Sequence, residues 1–193
     1  MKLPLSTGII PIMTASLLAF DAADAAVQPV LVVPFELNSN KIYLEARVGS
    51  EKRWFILDSG APVTFLDREL AVALGLDTKG DSEHAGLGAT PVEIGAATGV
   101  VLQLGKLELP ARDVQIMPLD AVLRRFEGRA VGGLVGNDII SSYVIEIDYE
   151  RNLLRWYDPS TFEYRGPGKE VPVTFEGHAF IRARLTPPGR PPG

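Results

Sequence analysis

Short runs of alternating apolar and polar residues, each followed by turn-forming residues, recur through most of this chain. The run over residues 42–48 would place every second residue on one face of a strand: Ile42, Leu44, Ala46 and Val48. The 19 glycines and 15 prolines supply the turns that many short elements need. This pattern predicts an all-β fold of compact size, with only one or two short helices.

Turn and cap residues locate several of these elements. The dipeptide Gly105-Lys106 predicts a hairpin between strands at 100–104 and 107–109. Asp67 is a candidate cap for a helix that ends before Gly75, and Asn137-Asp138 could cap a short helix through residue 142. A helical turn is expected over 119–126. We expect a polar turn at 51–53, and we assign no strand within 77–99, which is rich in Gly, Ala and Thr.

The N-terminus has the pattern of a secretory signal. Lys2 precedes an apolar run over residues 9–20, and Ala23-Asp24-Ala25 follows with an A-x-A arrangement. The run is too short for a good membrane span, which needs about 20 apolar residues. We therefore predict a signal peptide over 1–25 and an exported protein, periplasmic or extracellular, with no stable membrane anchor.

The rest of the chain divides into a main lobe over residues 28–160 and a tail over 161–193. Gly166-Pro167-Gly168 is typical of a linker, and a new strand-like run begins at Val171. Four residues of this run match the first lobe at a constant offset of 137, namely Ile181, Ala183, Arg184 and Leu185 against Leu44, Ala46, Arg47 and Val48. The tail could thus be the start of a second lobe, with its aspartate near position 195, or two short alternating strands that match by coincidence.

Composition excludes several function classes. The net charge of −5 and the lack of any long basic block argue against nucleic-acid binding. With no cysteine, the chain has no disulfide, no thiol nucleophile and no thiolate metal site. Its two histidines, His84 and His178, stand far apart without a zinc-binding motif, and no G-x-S-x-G motif accompanies them.

The most informative segment is an apolar strand that runs directly into an acidic residue. Residues 54–57 are followed by Asp58, Ser59, Gly60 and Ala61. The strand would hold the carboxylate at a rigid place, and glycine permits a tight turn with close backbone approach. Asp-Ser-Gly alone is a common turn, so the residues around it must carry the functional assignment.

This segment resembles the D-[ST]-G-[AS] signature of retropepsin-like aspartic proteases, especially bacterial exported ones. The second signature of that family, two apolar residues and a glycine before a short helix, is matched by Leu134-Val135-Gly136 and the residues up to Ile140. The resemblance covers about residues 30–159, and two motifs in the right order are more specific than either alone. It implies a retropepsin-like acid-protease lobe, in other words a closed, barrel-like β-sheet.

The resemblance further implies hydrolysis of peptide bonds in a polypeptide substrate, with Asp58 as one of two catalytic carboxylates. Such a pair holds a water molecule and shares a proton, with no metal or other cofactor. Only one such motif occurs here. The second carboxylate is therefore expected from another aspartic-protease lobe, supplied by a homodimer partner or by a missing C-terminal lobe.

Two further roles follow from the resemblance. Gly86, Leu87 and Gly88 lie where the family has a mobile flap over the substrate, although a plain surface loop explains them equally well. Leu134, Val135 and Gly136 are expected to support the catalytic loop from below. The alternative to an enzyme is a non-catalytic module of the same shape that dimerises or binds extended peptides by strand addition.

Overall fold

A computed structural model describes residues 27–76, 82–85, 91–176, 178–185 and 189. The predicted signal peptide lies outside these residues. The strands are β1 (Leu31–Pro34), β2 (Glu36–Asn38), β3 (Lys41–Val48), β4 (Glu51–Leu57), β5 (Phe65–Asp67), β6 (Ser82–Ala85), β7 (Pro91–Leu104), β8 (Leu107–Met117), β9 (Gly133–Val135), β10 (Val144–Asp148), β11 (Leu153–Tyr157), β12 (Val173–Phe175) and β13 (Ala179–Ile181). The helices are α1 (Arg68–Ala73), α2 (Leu119–Glu127) and α3 (Asn137–Ile140).

The main sheet closes on itself, which confirms the predicted all-β, barrel-like fold. Its eight strands run in the order β2-β3-β4-β9-β5-β8-β7-β6, and β3 also pairs with β7 through Arg47 opposite Gln103 and Val48 opposite Leu102. This extra pairing joins the two sides of the sheet and leaves β2 and β6 as extensions. Closure removes unpaired edges that would otherwise be open to other chains.

The interior of the closed sheet forms the core. The predicted face of β3 points into it, since Ile42, Leu44, Ala46 and Val48 are all at most 8% exposed. Tyr43, on the opposite face of the strand, is also fully buried, in a smaller cluster with Ile56 and Val131. Thus β3 is covered on both sides at Tyr43, whereas Glu45 and Arg47 on the second face are exposed. The alternation in the sequence indicated the buried face with Ile42 and Leu44, but it did not indicate the burial of Tyr43 on the other face.

A second sheet lies beside the barrel and consists of β1, β11 and β10 in that order. Its central strand, β11, carries the fully buried Leu154 and Trp156 into the main core. Full burial of a large apolar side chain contributes about 1.5–3 kcal/mol, so β11 ties the two sheets together. The strand β10 pairs only with β11 among the described residues.

Two sequence-based boundaries change in the structure. The expected polar turn at 51–53 is wrong, because β4 already begins at Glu51 and the turn is made by Gly49 and Ser50, with Gly49 at a φ of 56°. No strand was expected within 77–99, yet β6 and the first part of β7 lie there and pair with each other. The hairpin at Gly105 is confirmed, with Leu104 opposite Leu107.

The described residues contain three short helices rather than one or two. Asp67 caps α1 as predicted, since its Oδ2 accepts a hydrogen bond from the backbone N–H of Glu69 at 2.9 Å. The cap of α3 differs, because Gly136 occupies that position and makes no side-chain cap. The side chain of Asn137 is therefore available for another contact. No helix in the described parts of the chain is long and apolar enough to span a bilayer.

The tail contains a separate hairpin of β12 and β13. Thr174 lies opposite Phe180 there, as Glu36 lies opposite Tyr43 in the β2–β3 hairpin. Each polar member follows a proline by two residues. The offset of 137 carries Glu36 to Val173 and Tyr43 to Phe180, but Val173 lies opposite Ile181, so the two ladders differ in register by one residue. Whether the tail opens a second lobe stays a prediction.

Candidate active site

Asp58 lies immediately after β4, at the point where the two sequence motifs meet. β4 and β9 are parallel neighbours, with Phe55 opposite Gly133 and Leu57 opposite Val135. The backbone N–H of Asp58 donates to the carbonyl of Val135 at 3.0 Å. Motifs almost eighty residues apart thereby form one local structure, and the half-buried carboxylate projects from its end.

The loop 58–61 holds this carboxylate in place. The backbone N–H of Gly60 donates to Asp58 Oδ1 at 2.8 Å, and the N–H of Ala61 donates to the Asp58 carbonyl at 3.2 Å. Gly60 is not among the glycines with a positive φ. A Cβ at this position would lie 3.1 Å from Asp58 Oδ1, so close approach rather than a left-handed turn explains the glycine. Ser59 is exposed, and Ala61 is buried.

The second motif packs directly beneath the loop. Val135 is fully buried, and Leu134 packs against the cluster around Tyr43. A Cβ on Gly136 would lie 2.3 Å from the carbonyl oxygen of Val63, which is a backbone atom and cannot rotate away. Glycine is therefore required at this position for the two segments to approach.

Three polar residues that the sequence argument did not assign to the site connect the two motifs. Thr64, fully buried, donates from Oγ1 to Asp138 Oδ1 at 2.8 Å and accepts from the Gly136 N–H at 3.2 Å. Asn137 donates from Nδ2 to the Ser59 carbonyl at 2.9 Å. The only signal in the sequence was the polar pair at 137–138 directly after an apolar run, which fits a helix cap equally well.

A groove of about 520 Å³ opens beside Asp58. Among the described residues that line it, Asp58 is the only carboxylate. One wall is apolar and comes from α3, β10 and the residues next to them: Ile140, Tyr143, Ile145, Ile147 and Tyr149. The groove can therefore hold an apolar group against the carboxylate, but it does not itself contain a carboxylate pair.

The opposite side of the groove includes Lys41, which forms an ion pair of 2.6 Å with the buried Glu127. The hydroxyl of Tyr43 donates to the same carboxylate at 2.6 Å. Burial disfavours the charged form of Glu127, but the Lys41 ammonium and the Tyr43 hydroxyl outweigh it and hold the pKa of Glu127 below its usual value. Burial, together with Glu127, raises the pKa of Tyr43 above its usual value. This network stabilises the lobe next to the groove without contacting Asp58.

The predicted flap residues Gly86, Leu87 and Gly88 lie outside the described residues. On either side of them, β6 and β7 pair antiparallel, with Ala85 opposite Pro91. Within the described ranges, no three His, Asp or Glu side chains come together as a cation site.

A family model described as "Aspartyl protease" matches residues 44–139, from β3 into α3, and so includes both motifs. The chain belongs to the retropepsin-like aspartic protease family. The match covers most of the closed sheet, together with the Asp58 loop and the glycine motif beneath it. Family membership accounts for the order of the two motifs in the chain.

This chain is similar to the following three proteins, which differ in how much of their own length it covers. The UBA domain-containing protein Mud1 of Schizosaccharomyces pombe is 30% identical over 139 residues, which are 70% of this chain and 36% of that protein. A retropepsin-like aspartic protease from Rickettsia conorii is 20% identical with a TM-score of 0.44, covering 65% of this chain and 90% of that one. The retroviral protease-like domain of Ddi1 from Leishmania major is 17% identical with a TM-score of 0.43, covering 63% and 98%.

Proposed function

We propose that this chain is one lobe of an aspartic endopeptidase and that Asp58 is one of its two catalytic carboxylates. The observation that carries this proposal is the position of Asp58: half-buried, at the end of a core strand, with Oδ1 held by the Gly60 N–H at 2.8 Å. A strand and a clamped loop give a carboxylate the fixed direction that general acid–base catalysis needs.

In the proposed reaction, a water molecule lies between Asp58 and a second carboxylate. One carboxylate, ionised, takes a proton as the water oxygen attacks the peptide carbonyl carbon, while the other, protonated, donates to the carbonyl oxygen. Collapse of the tetrahedral species with protonation of the nitrogen breaks the C–N bond. Two carboxylates about 3 Å apart cannot both ionise, so they share one proton, as is general for aspartic proteases. Neither carboxylate therefore acts alone.

The second carboxylate would come from a second copy of this chain. Ile147 and Tyr149, beside Asp58, are 37% and 59% exposed. These exposed apolar side chains at the mouth of the groove support a partner lobe on this side. A two-fold axis there would bring the two copies of Asp58 together.

A second lobe on the same polypeptide is the other source, and the presence of a further hairpin, β12 and β13, after the main lobe supports it. The offset of 137, however, places Pro187, Pro188 and Pro191 opposite residues 50, 51 and 54, in and next to β4. Proline has no N–H for a central strand. The repeat therefore does not extend to an equivalent of β4 in this register, and this favours the homodimer.

A mixing experiment tests both the activity and the homodimer. Purified wild type should cleave a denatured protein between pH 3 and 7, and Asp58→Asn should not. The variant Asp113→Asn, which changes an exposed carboxylate, serves as the matched control and should stay active. If each copy supplies one carboxylate, an equal mixture of wild type and Asp58→Asn keeps about one quarter of the activity, against about one half for independent lobes.

Cleavage that persists in Asp58→Asn would refute the catalytic role. A folded wild type that is inactive would leave the non-catalytic alternative, a module that binds extended peptides. The edge of β10, which is unpaired within the described residues, favours that second function, since an extended peptide could add there as a strand. Binding of a peptide with equal affinity to wild type and Asp58→Asn would support it.

We further propose export of the chain, on the evidence of the segment before residue 26. Sequencing the N-terminus of protein recovered from outside the cytoplasm tests this. A mature chain that starts near Ala26 would support cleavage, and an intact Met1 would contradict it.

A further inference from the structure

Asn137 contacts the catalytic loop at two points. Its side-chain Nδ2 donates to the Ser59 carbonyl and its backbone N–H donates to the Ala61 carbonyl, each at 2.9 Å. Gly60 lies between these two acceptors. Asn137 is only 8% exposed, so water competes little with either bond. A residue at the start of α3 thus holds the loop on both sides of Gly60.

The Ser59 carbonyl and the Gly60 N–H belong to the same planar peptide group. In a trans peptide they point in opposite directions, so a bond that holds one also directs the other. Asn137 Nδ2 binds the oxygen end of this group, and Asp58 Oδ1 binds the N–H end at 2.8 Å. Asn137 and the catalytic carboxylate are therefore joined through a single peptide unit.

We propose that Asn137 is a positioning residue, which orients the Ser59–Gly60 peptide group so that its N–H donates to Asp58. This inference rests on the proposed function of Asp58. Without the bond from Asn137, the freedom of the glycine backbone would make rotation of this peptide group easy. A hydrogen bond at the carbonyl also polarises the N–H, which strengthens its charge-assisted bond to the carboxylate.

The side-chain amide of Asn137 supports this role. Its Oδ1 is buried and makes no hydrogen bond within the described part of the chain. An unpaired buried oxygen costs about 1–3 kcal/mol, so local stability alone does not explain an asparagine here. The orientation follows from the hydrogen-bond network, since the flipped amide would put Oδ1 against the Ser59 carbonyl. The contact with the loop is therefore made by the donor atom of this amide, Nδ2.

Amide NMR of the full chain tests the link from Asn137 through the Ser59–Gly60 peptide group to Asp58, and it does not require activity. In Asp58→Asn the Gly60 N–H loses its anionic acceptor, and both its proton signal and that of Asn137 Nδ2 should move upfield. The side-chain amide of Asn38, which donates to the Glu127 carbonyl at 3.0 Å, is the internal control and should not move. A Gly60 signal that moves while the side-chain amide proton signal of Asn137 stays unchanged would overturn this link.

Two substitutions test the same link in the opposite direction, from Asn137 to the Gly60 N–H. Asn137→Ala and the near-isosteric Asn137→Asp should both move the Gly60 amide proton upfield and speed its hydrogen exchange. Ile139→Val, on the same helix, removes core packing without touching the peptide group and should leave this signal in place. An unchanged Gly60 signal in the Asn137 variants, or an equal change in Ile139→Val, would overturn the inference. If neither Asn137 variant folds, the Asp58→Asn spectrum decides.

Kinetics add a second readout. Asn137→Asp should lower kcat by up to about 100-fold with KM within about twofold, because the misplaced group acts in the reaction rather than in substrate binding. A change in KM alone would contradict the positioning role. If the wild type proves inactive, the proposed function fails, and the NMR results still report on the link between Asn137 and Asp58.

Discussion

The substitution Thr64→Val probes the connection between the two motifs. Valine has nearly the same shape as threonine, so the change removes the hydroxyl and leaves the packing of this fully buried side chain. Two contacts are lost: the bond to Asp138 Oδ1 at 2.8 Å and the bond from the Gly136 N–H at 3.2 Å. The substitution therefore isolates the polar link between the strand after the catalytic loop and the glycine motif.

The structure sets the expected size of the effect. A hydrogen bond to a charged group contributes about 1.5–3 kcal/mol, and a buried N–H left without a partner costs about 1–3 kcal/mol. Asp138 Oδ2 is already buried without a hydrogen bond among the described residues, so its carboxylate has little to replace the lost donor. Because the two contacts share one hydroxyl, we expect a combined loss of about 3 kcal/mol in the free energy of unfolding.

Urea unfolding followed by tryptophan fluorescence measures this loss. Thr64→Ser is the matched control, since it keeps the hydroxyl and removes one methyl group, at a cost of about 1 kcal/mol. Thr64→Val should therefore be less stable than Thr64→Ser. The opposite order, or equal stability of Thr64→Val and wild type, would refute the reasoning that the hydroxyl joins the motifs.

Three further predictions concern other parts of the lobe. Gly136→Ala should lose about 2 kcal/mol or more in urea unfolding, because the new Cβ would meet the Val63 carbonyl at 2.3 Å; unchanged stability would contradict the close approach. Since the folded-state pKa of Glu127 is lowered, its ionised form adds stability above the usual carboxyl pKa, and this is lost as pH falls through the folded value. Glu127→Gln should thus destabilise the chain at pH 7, and its unfolding curve should approach that of wild type below about pH 4; a constant difference at both pH values would argue against the ion pair with Lys41. Ile147→Asp should weaken self-association in sedimentation experiments and lower peptidase activity in parallel, and a dimer of unchanged strength would exclude this face as the interface.

The local pattern of the chain was enough to predict much of the fold. Alternation identified the buried face of β3, and the polar residue before α1 identified its cap, because both signals depend on neighbours within a few residues. The Asp-Ser-Gly turn and the later glycine motif could be recognised as a pair for the same reason. Their order indicated the family before any contact between them was known.

The contacts that these motifs make with one another were decided by the tertiary structure. Neither the closure of the sheet through β3 and β7 nor the parallel pairing of β4 and β9 has a periodic signature in the sequence. The polar pair at 137–138 was expected to cap a helix, whereas Asn137 binds the Ser59 carbonyl across 78 positions of the chain. A side chain's nearest partners in sequence set its local conformation, but the hydrogen bond it makes depends on which distant segment the fold brings within about 3 Å.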